Sequence, residues 1–173
     1  MNIHSDFPFT PDYCRYYLDL VETGDLISEL EKAKQHTLEL FEWISPENEN
    51  FSYQSGKWTT KEVLRHIVDC ERIYSYRAFR FSRFDKTELA GFDEGMYIAN
   101  LNSSLLNLSG LKEDYLSVRS STISLFRGMT DEMLDFKGTA NQGVFSARAL
   151  GYMCVGHNIH HCNMLKERYL KKN

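Results

Sequence analysis

Apolar residues recur along much of this chain at the three- and four-residue steps that keep one face of a helix hydrophobic. Leu26, Leu30, Ala33, Thr37, Leu40 and Phe41 follow that spacing, predicting a helix from Asp25 to Trp43 that Pro46 ends. The preceding segment, Asp12 to Val21, reads as a short helix packed across the end of a bundle, with Gly24 as its stop. The clearest start signal is Thr59, with Glu62 three residues later to complete a capping box. Val63, Ile67, Cys70, Ile73, Tyr74 and Arg77 then share one face, and the pattern fades near Phe84, giving a helix over 60–84. Asp85 to Asn102, with Gly91 and Gly95, reads as a loop holding at most one short turn. A third helix is predicted over 104–127, weakly interrupted by Gly110 and closed by Gly128. Thr130 to Gly143 reads as irregular, with a turn at Asp131-Glu132 and a glycine-bounded loop from Gly138. A Ser146 cap opens the fourth helix, 146–171, whose last turns carry Lys166, Arg168, Lys171 and Lys172 toward the negative end of the helix dipole.

Prolines stand only at positions 8, 11 and 46, and strand-like alternation is scarce, so the expected fold is all-α, a four-helix bundle. The 173 residues show no internal repeat or boundary, and a single domain over 1–173 is expected. Twenty basic against twenty-four acidic residues give a net charge of -4, which argues against nucleic acid as a partner. Met1 to Pro8 has neither a basic nor an apolar leader region, and no apolar run approaches the ~20 residues of a membrane span, so a cytoplasmic protein without membrane association is expected. Cys14, Cys70, Cys154 and Cys162 contain no CxxC pair and are expected to be reduced. The ten tyrosines and eleven phenylalanines read as core.

Gly-rich phosphate loops and GxSxG are absent, which leaves histidine placement as the candidate chemistry. His157 and His161, four residues apart, project from one helix face, the spacing by which a helix gives a metal two imidazoles. His160 rivals His161, lying about 60° around the helix from His157 against about 40°. His66 on the second helix could supply a third ligand. Cys70 and Cys154 lie on the same faces, either as ligands or as core filling. Asp69 offers an acceptor for an imidazole N–H or is an exposed helix charge. Spacing alone leaves a coincidental HxxxH open.

The stretch Gly56-Lys57-Trp58-Thr59-Thr60-Lys61-Glu62-Val63-Leu64-Arg65-His66-Ile67-Val68-Asp69-Cys70-Glu71-Arg72 resembles the helix-two signature of the DinB/YfiT-like superfamily. Tyr76-Arg77-Ala78-Phe79-Arg80-Phe81, Gly91-Phe92-Asp93-Glu94 and Gly156-His157-Asn158-Ile159-His160-His161, leading into Leu165 to Tyr169, fit a subgroup, and the resemblance covers about Phe51 to Leu170. Ala90 departs from the proline that commonly precedes Gly-Phe-Asp in this group. The resemblance implies an up-down-down-up bundle in which His66, His157 and His161 hold a divalent metal, zinc or nickel, near one end. It also implies a homodimer. Members of the family include metal-dependent hydrolases and low-molecular-weight-thiol transferases, such as bacillithiol transferases and mycothiol isomerases. Two function classes follow: a metal-dependent enzyme acting on a small-molecule substrate, and a non-catalytic bundle whose metal is structural or vestigial. No catalytic residue is assigned; Asp93 and Glu94 lie on a loop that could reach the site, and they read first as solvated loop carboxylates.

Overall fold

The protein is described from a computed structural model that places residues 6–22 and 24–170. Four long helices form the body: α2 (Leu26–Trp43), α3 (Thr60–Ser82), α5 (Leu108–Arg127) and α7 (Ala147–Arg168), with the short helix α1 (Asp12–Asp19) before them and α4 (Glu94–Ala99) and α6 (Asp131–Asp135) between them. None of the described helices is long and apolar enough to cross a membrane. Asp25 caps α2 by accepting from Ser28 N, and the Thr59–Glu62 capping box opens α3 in both directions.

Contacts between side chains fix the directions. Glu71 meets Arg119 and the earlier Arg65 meets the earlier Asp114, so α3 and α5 run parallel. Thr37 meets Asn158 while Leu26 abuts Gly151, so α2 and α7 also run parallel. Trp58 reaches Tyr169 while His66 reaches His157, which sets α3 antiparallel to α7. The result is an up-down-down-up bundle in which α3 touches α5 and α7, and α2 touches the same two helices. Parallel neighbours need a connection that returns along the bundle, here about 34 Å for a 23-residue helix. Residues 83–107 make that return, laying α4 against α3.

Several expectations need correcting. The third helix starts at Leu108, because Asn107 accepts from Gly110 N as a cap; Gly110 lies in the first turn and interrupts nothing. Ser103–Leu105 is a separate 3-10 turn. The second helix stops at Ser82, with Phe84 in the left-handed region. The stretch expected to be irregular holds α6 and an antiparallel hairpin, β1 (Lys137–Ala140) with β2 (Gly143–Ser146). Asn141 and Gln142 both take positive φ at its two-residue turn, the backbone a tight hairpin demands. Leu89 bridges to Ala140 and tethers the return loop to this hairpin. The fold is therefore helical with one small sheet. Leu20, not Gly24, closes α1, which lies along the middle of α7, where a glycine at 156 lets the Tyr17 backbone come close. The fourth helix ends at Arg168, and the expected contribution of Lys171 and Lys172 lies outside the described residues, as does the Met1 to Ser5 part of the leader reading.

The apolar core is divided in two. On α2 one cluster takes Leu26, Leu30 and Ala33 and the other Leu40 and Phe41; on α7 one ends at Val155 and the other begins at Cys162. Between them lies a buried polar layer holding Thr37, His66, Glu71, Arg119, His157, Asn158 and His161.

Candidate metal centre

Within that layer the Nε2 atoms of three histidines converge. His66 Nε2 lies 3.0 Å from His157 Nε2 and 3.1 Å from His161 Nε2, and the third edge is 3.1 Å. A ring nitrogen carrying a proton can donate along one edge only, whereas a single cation satisfies three lone pairs aimed at one point. The triangle is small enough for all three nitrogens to sit at the ~2.0–2.1 Å of a metal–imidazole bond. The residues therefore fit a divalent ion. All three side chains are buried, and Trp58 stacks at 4.9 Å from the His66 ring while Tyr17 and Tyr74 pack on His157 at 5.4 and 5.7 Å. Burial opposes charging an imidazole, which holds His66 at about 4 and His161 at about 2, and places His157 well below its ordinary value; neighbouring histidines add to each shift. The rings are neutral at pH 7, the form that ligates.

The structure separates the other candidates. His160 points away from the triangle, its Nδ1 lying 3.1 Å from the Tyr16 hydroxyl. Asp69 does not support an imidazole; it pairs with Arg65 and Arg72 on the side of α3 toward α5. Cys154 packs in the apolar core and Asp93 caps α4 by accepting from Met96 N. Cys70 stays beside the centre, its Sγ 3.6 Å from His66 Nδ1 and 4.0 Å from Glu94 Oε1. Burial and then Glu94 push its thiol up, so it is protonated at neutral pH. His161 Nδ1 is buried and has no partner among the described residues.

Glu94 is exposed as a residue, in keeping with the sequence reading, yet α4 brings its carboxylate end into a group with His66 and Cys70 whose ligand-capable atoms lie within 4.8 Å of one another. Burial and the adjacent Asp93 raise its carboxyl. Beneath the centre, Arg119 donates from Nε and Nη2 to the two carboxylate oxygens of Glu71 at 2.8 Å each, and from Nη2 to Asn158 Oδ1 at 3.2 Å. Asn158 follows His157 directly, so this pair ties α3 and α5 to the helix that carries two of the imidazoles. Sequence periodicity did not single out Glu71, Arg119 or Asn158.

The family model described as DinB superfamily matches residues 29–165. The chain belongs to the DinB superfamily. Its fold is similar to that of YfiT from Bacillus subtilis, described as a probable metal-dependent hydrolase with an unusual four-helix bundle topology; the TM-score is 0.70 at 21% identity, over 82% of each chain. No curated protein matches significantly. In DinB terms, the matched range contains His66, His157 and Glu94 together with His161, so the buried imidazole group lies within the family's own portion of the chain.

Proposed function

We propose that this DinB-superfamily protein is a divalent-metal-dependent enzyme that hydrolyses a small molecule at His66, His157 and His161. The observation that carries the reading is a carboxylate, Glu94, set beside His66, one of three convergent neutral imidazoles. Imidazole donors of this kind favour zinc or nickel. Three protein ligands leave coordination positions free, and an ion held there supplies Lewis acidity and lowers the pKa of a bound water. Within that scheme the three histidines fix the reacting group, Tyr17, Tyr74 and Trp58 exclude bulk water around them, and Glu94 Oε1 accepts a proton from the attacking water. A carboxyl raised by burial is better matched to that task near neutral pH than a solvated one.

YfiT's description as a probable metal-dependent hydrolase supports the same reading. The test is a screen of the zinc- and nickel-loaded protein against small esters, amides and lactams, with and without a low-molecular-weight thiol. Metal-dependent hydrolysis that falls about 10²–10⁴-fold in Glu94→Gln, with metal content unchanged, is the expected result. Turnover that requires the thiol assigns the site to thiol transfer. A metal-loaded protein without turnover in either arm favours the non-catalytic binding module.

A further inference from the structure

Arg77 occupies a position where a charge is costly. It is 5% exposed, yet no carboxylate of the described residues lies within 4.0 Å of its guanidinium. Nη2 donates to the Ala90 carbonyl at 2.8 Å, and the group lies 5.5 Å over the Phe92 ring. That uses one hydrogen bond of the five N–H groups a guanidinium presents. Arg119, the other deeply buried arginine, has both carboxylate oxygens of Glu71. Buried charges are ordinarily paired, so the missing partner of Arg77 is the observation to explain.

Arg77 lines a cavity of about 100 Å³ together with Tyr13, Tyr74, Glu94 and Asn141. Tyr74 also packs against His157, and Glu94 also faces Cys70 and His66, so the cavity adjoins the histidine centre. Arg77 and Glu94 carry opposite charges into the same small space without forming an ion pair, which leaves the guanidinium open to a ligand. At about 30 Å³ for each water-sized group, the space admits about three such groups, the size of a carboxylate. The planar fork of an arginine matches a carboxylate with two parallel hydrogen bonds.

We propose that this cavity is an anion subsite, in which Arg77 binds the carboxylate of a small substrate whose reacting group lies toward His66, His157 and His161. The proposal rests on the reading of those histidines as the reaction centre. It names the substrate class: small carboxylates, held by the charge at one end and processed at the other.

The test uses butyrate and its uncharged analogue butyramide as probes, with titration calorimetry on the metal-free protein, so that binding to a metal cannot mimic binding to Arg77. Butyrate is expected to bind at least tenfold more tightly than butyramide. Arg77→Met is expected to lose butyrate affinity at least tenfold, and His161→Ala to retain it. Equal binding of the two probes, or an unchanged Arg77→Met, overturns the subsite. So does butyrate binding that appears only with zinc and vanishes in His161→Ala; that places the anion on the metal and leaves the metal centre standing. Conversely, a protein that takes up no metal but binds butyrate through Arg77 removes the metal centre and keeps the subsite. Should Arg77→Met fail to fold, the wild type decides the matter. Butyrate, and not butyramide, is expected to shift the Arg77 Nε–H resonance in a nitrogen-15 NMR titration of the wild type; an unmoved resonance, or equal shifts with both probes, overturns the proposal.

Discussion

Removing the Glu71 carboxylate while keeping Arg119 strands a guanidinium in the middle of the bundle. Arg119 is fully buried, and its other contacts are the Leu30 carbonyl at 2.9 Å, Asn158 Oδ1 at 3.2 Å and the Tyr115 ring at 5.4 Å, none of which carries a compensating charge. Breaking a buried pair from one side costs about 3–5 kcal/mol, against a total stability of about 5–15 kcal/mol. Glu71→Ala is therefore expected to lower Tm by about 6–20 °C, at about 2–4 °C per kcal/mol for a chain of this size. Replacing both partners removes the stranded charge. The double variant Glu71→Met, Arg119→Met is expected to be at least about 2 kcal/mol more stable than Glu71→Ala, since apolar replacements of a buried pair are often neutral. Urea unfolding followed by circular dichroism, at one protein concentration and with chelator present, measures all three proteins. A Glu71→Ala protein within about 1 kcal/mol of wild type, or a double variant less stable than the single, refutes the argument that this pair organises the polar layer.

Three further outcomes are expected. Gly156→Ala drives a Cβ into the Tyr17 carbonyl, so it should cost about 1–3 kcal/mol and speed hydrogen exchange in α1 more than in α5; unchanged stability contradicts the close packing. Partial burial opposes ionisation of Asp114, but hydrogen bonds from Arg65 and Arg72 outweigh it and hold the carboxyl below its ordinary 3.8. The depressed value means that its stabilising contribution is complete above the unfolded pKa and disappears as pH falls below 3.8 through the folded one; Asp114→Asn should flatten the acid limb of a stability-against-pH curve, and an identical limb counts against the pairing. We also propose that the chain assembles as a homodimer, so sedimentation equilibrium should give twice its 20.2 kDa mass, and a 20.2 kDa species at micromolar concentration counts against it.

How far the sequence reached depends on how local each determinant is. The α3 start was legible because Thr59 and Glu62 act on backbone groups within three residues, and α2 because its apolar spacing is equally local. The α5 start was misplaced because Asn107 caps helices and makes turns equally well, so a plain apolar pattern ran through it. The hairpin escaped because its strands are four residues each and its turn is Asn-Gln, without the glycine that usually marks such a turn. HxxxH spacing put His157 and His161 on one face, since four residues close about one helical turn. It could not choose between His161 and His160, which the packing of α1 resolves by drawing His160 toward Tyr16. Glu94 could be read as a loop carboxylate able to reach the site but not placed there, because its approach to His66 depends on the path by which residues 83–107 return along the bundle. Arg77 fell on the apolar face of its helix, but Glu71 and Arg119 were not singled out, because burial is decided by which helices become neighbours and sequence periodicity does not report that.

If His66, His157 and His161 together hold one metal ion, the metal content of the protein reports it. Wild-type protein prepared without chelator or affinity-tag metal, then offered zinc or nickel and desalted, should carry one ion per chain by elemental analysis. His160→Ala should carry the same amount, because its ring lies outside the Nε2 triangle, and His161→Ala should carry almost none. A wild type that takes up neither metal contradicts the account, as does a filled His161→Ala protein beside an empty His160→Ala.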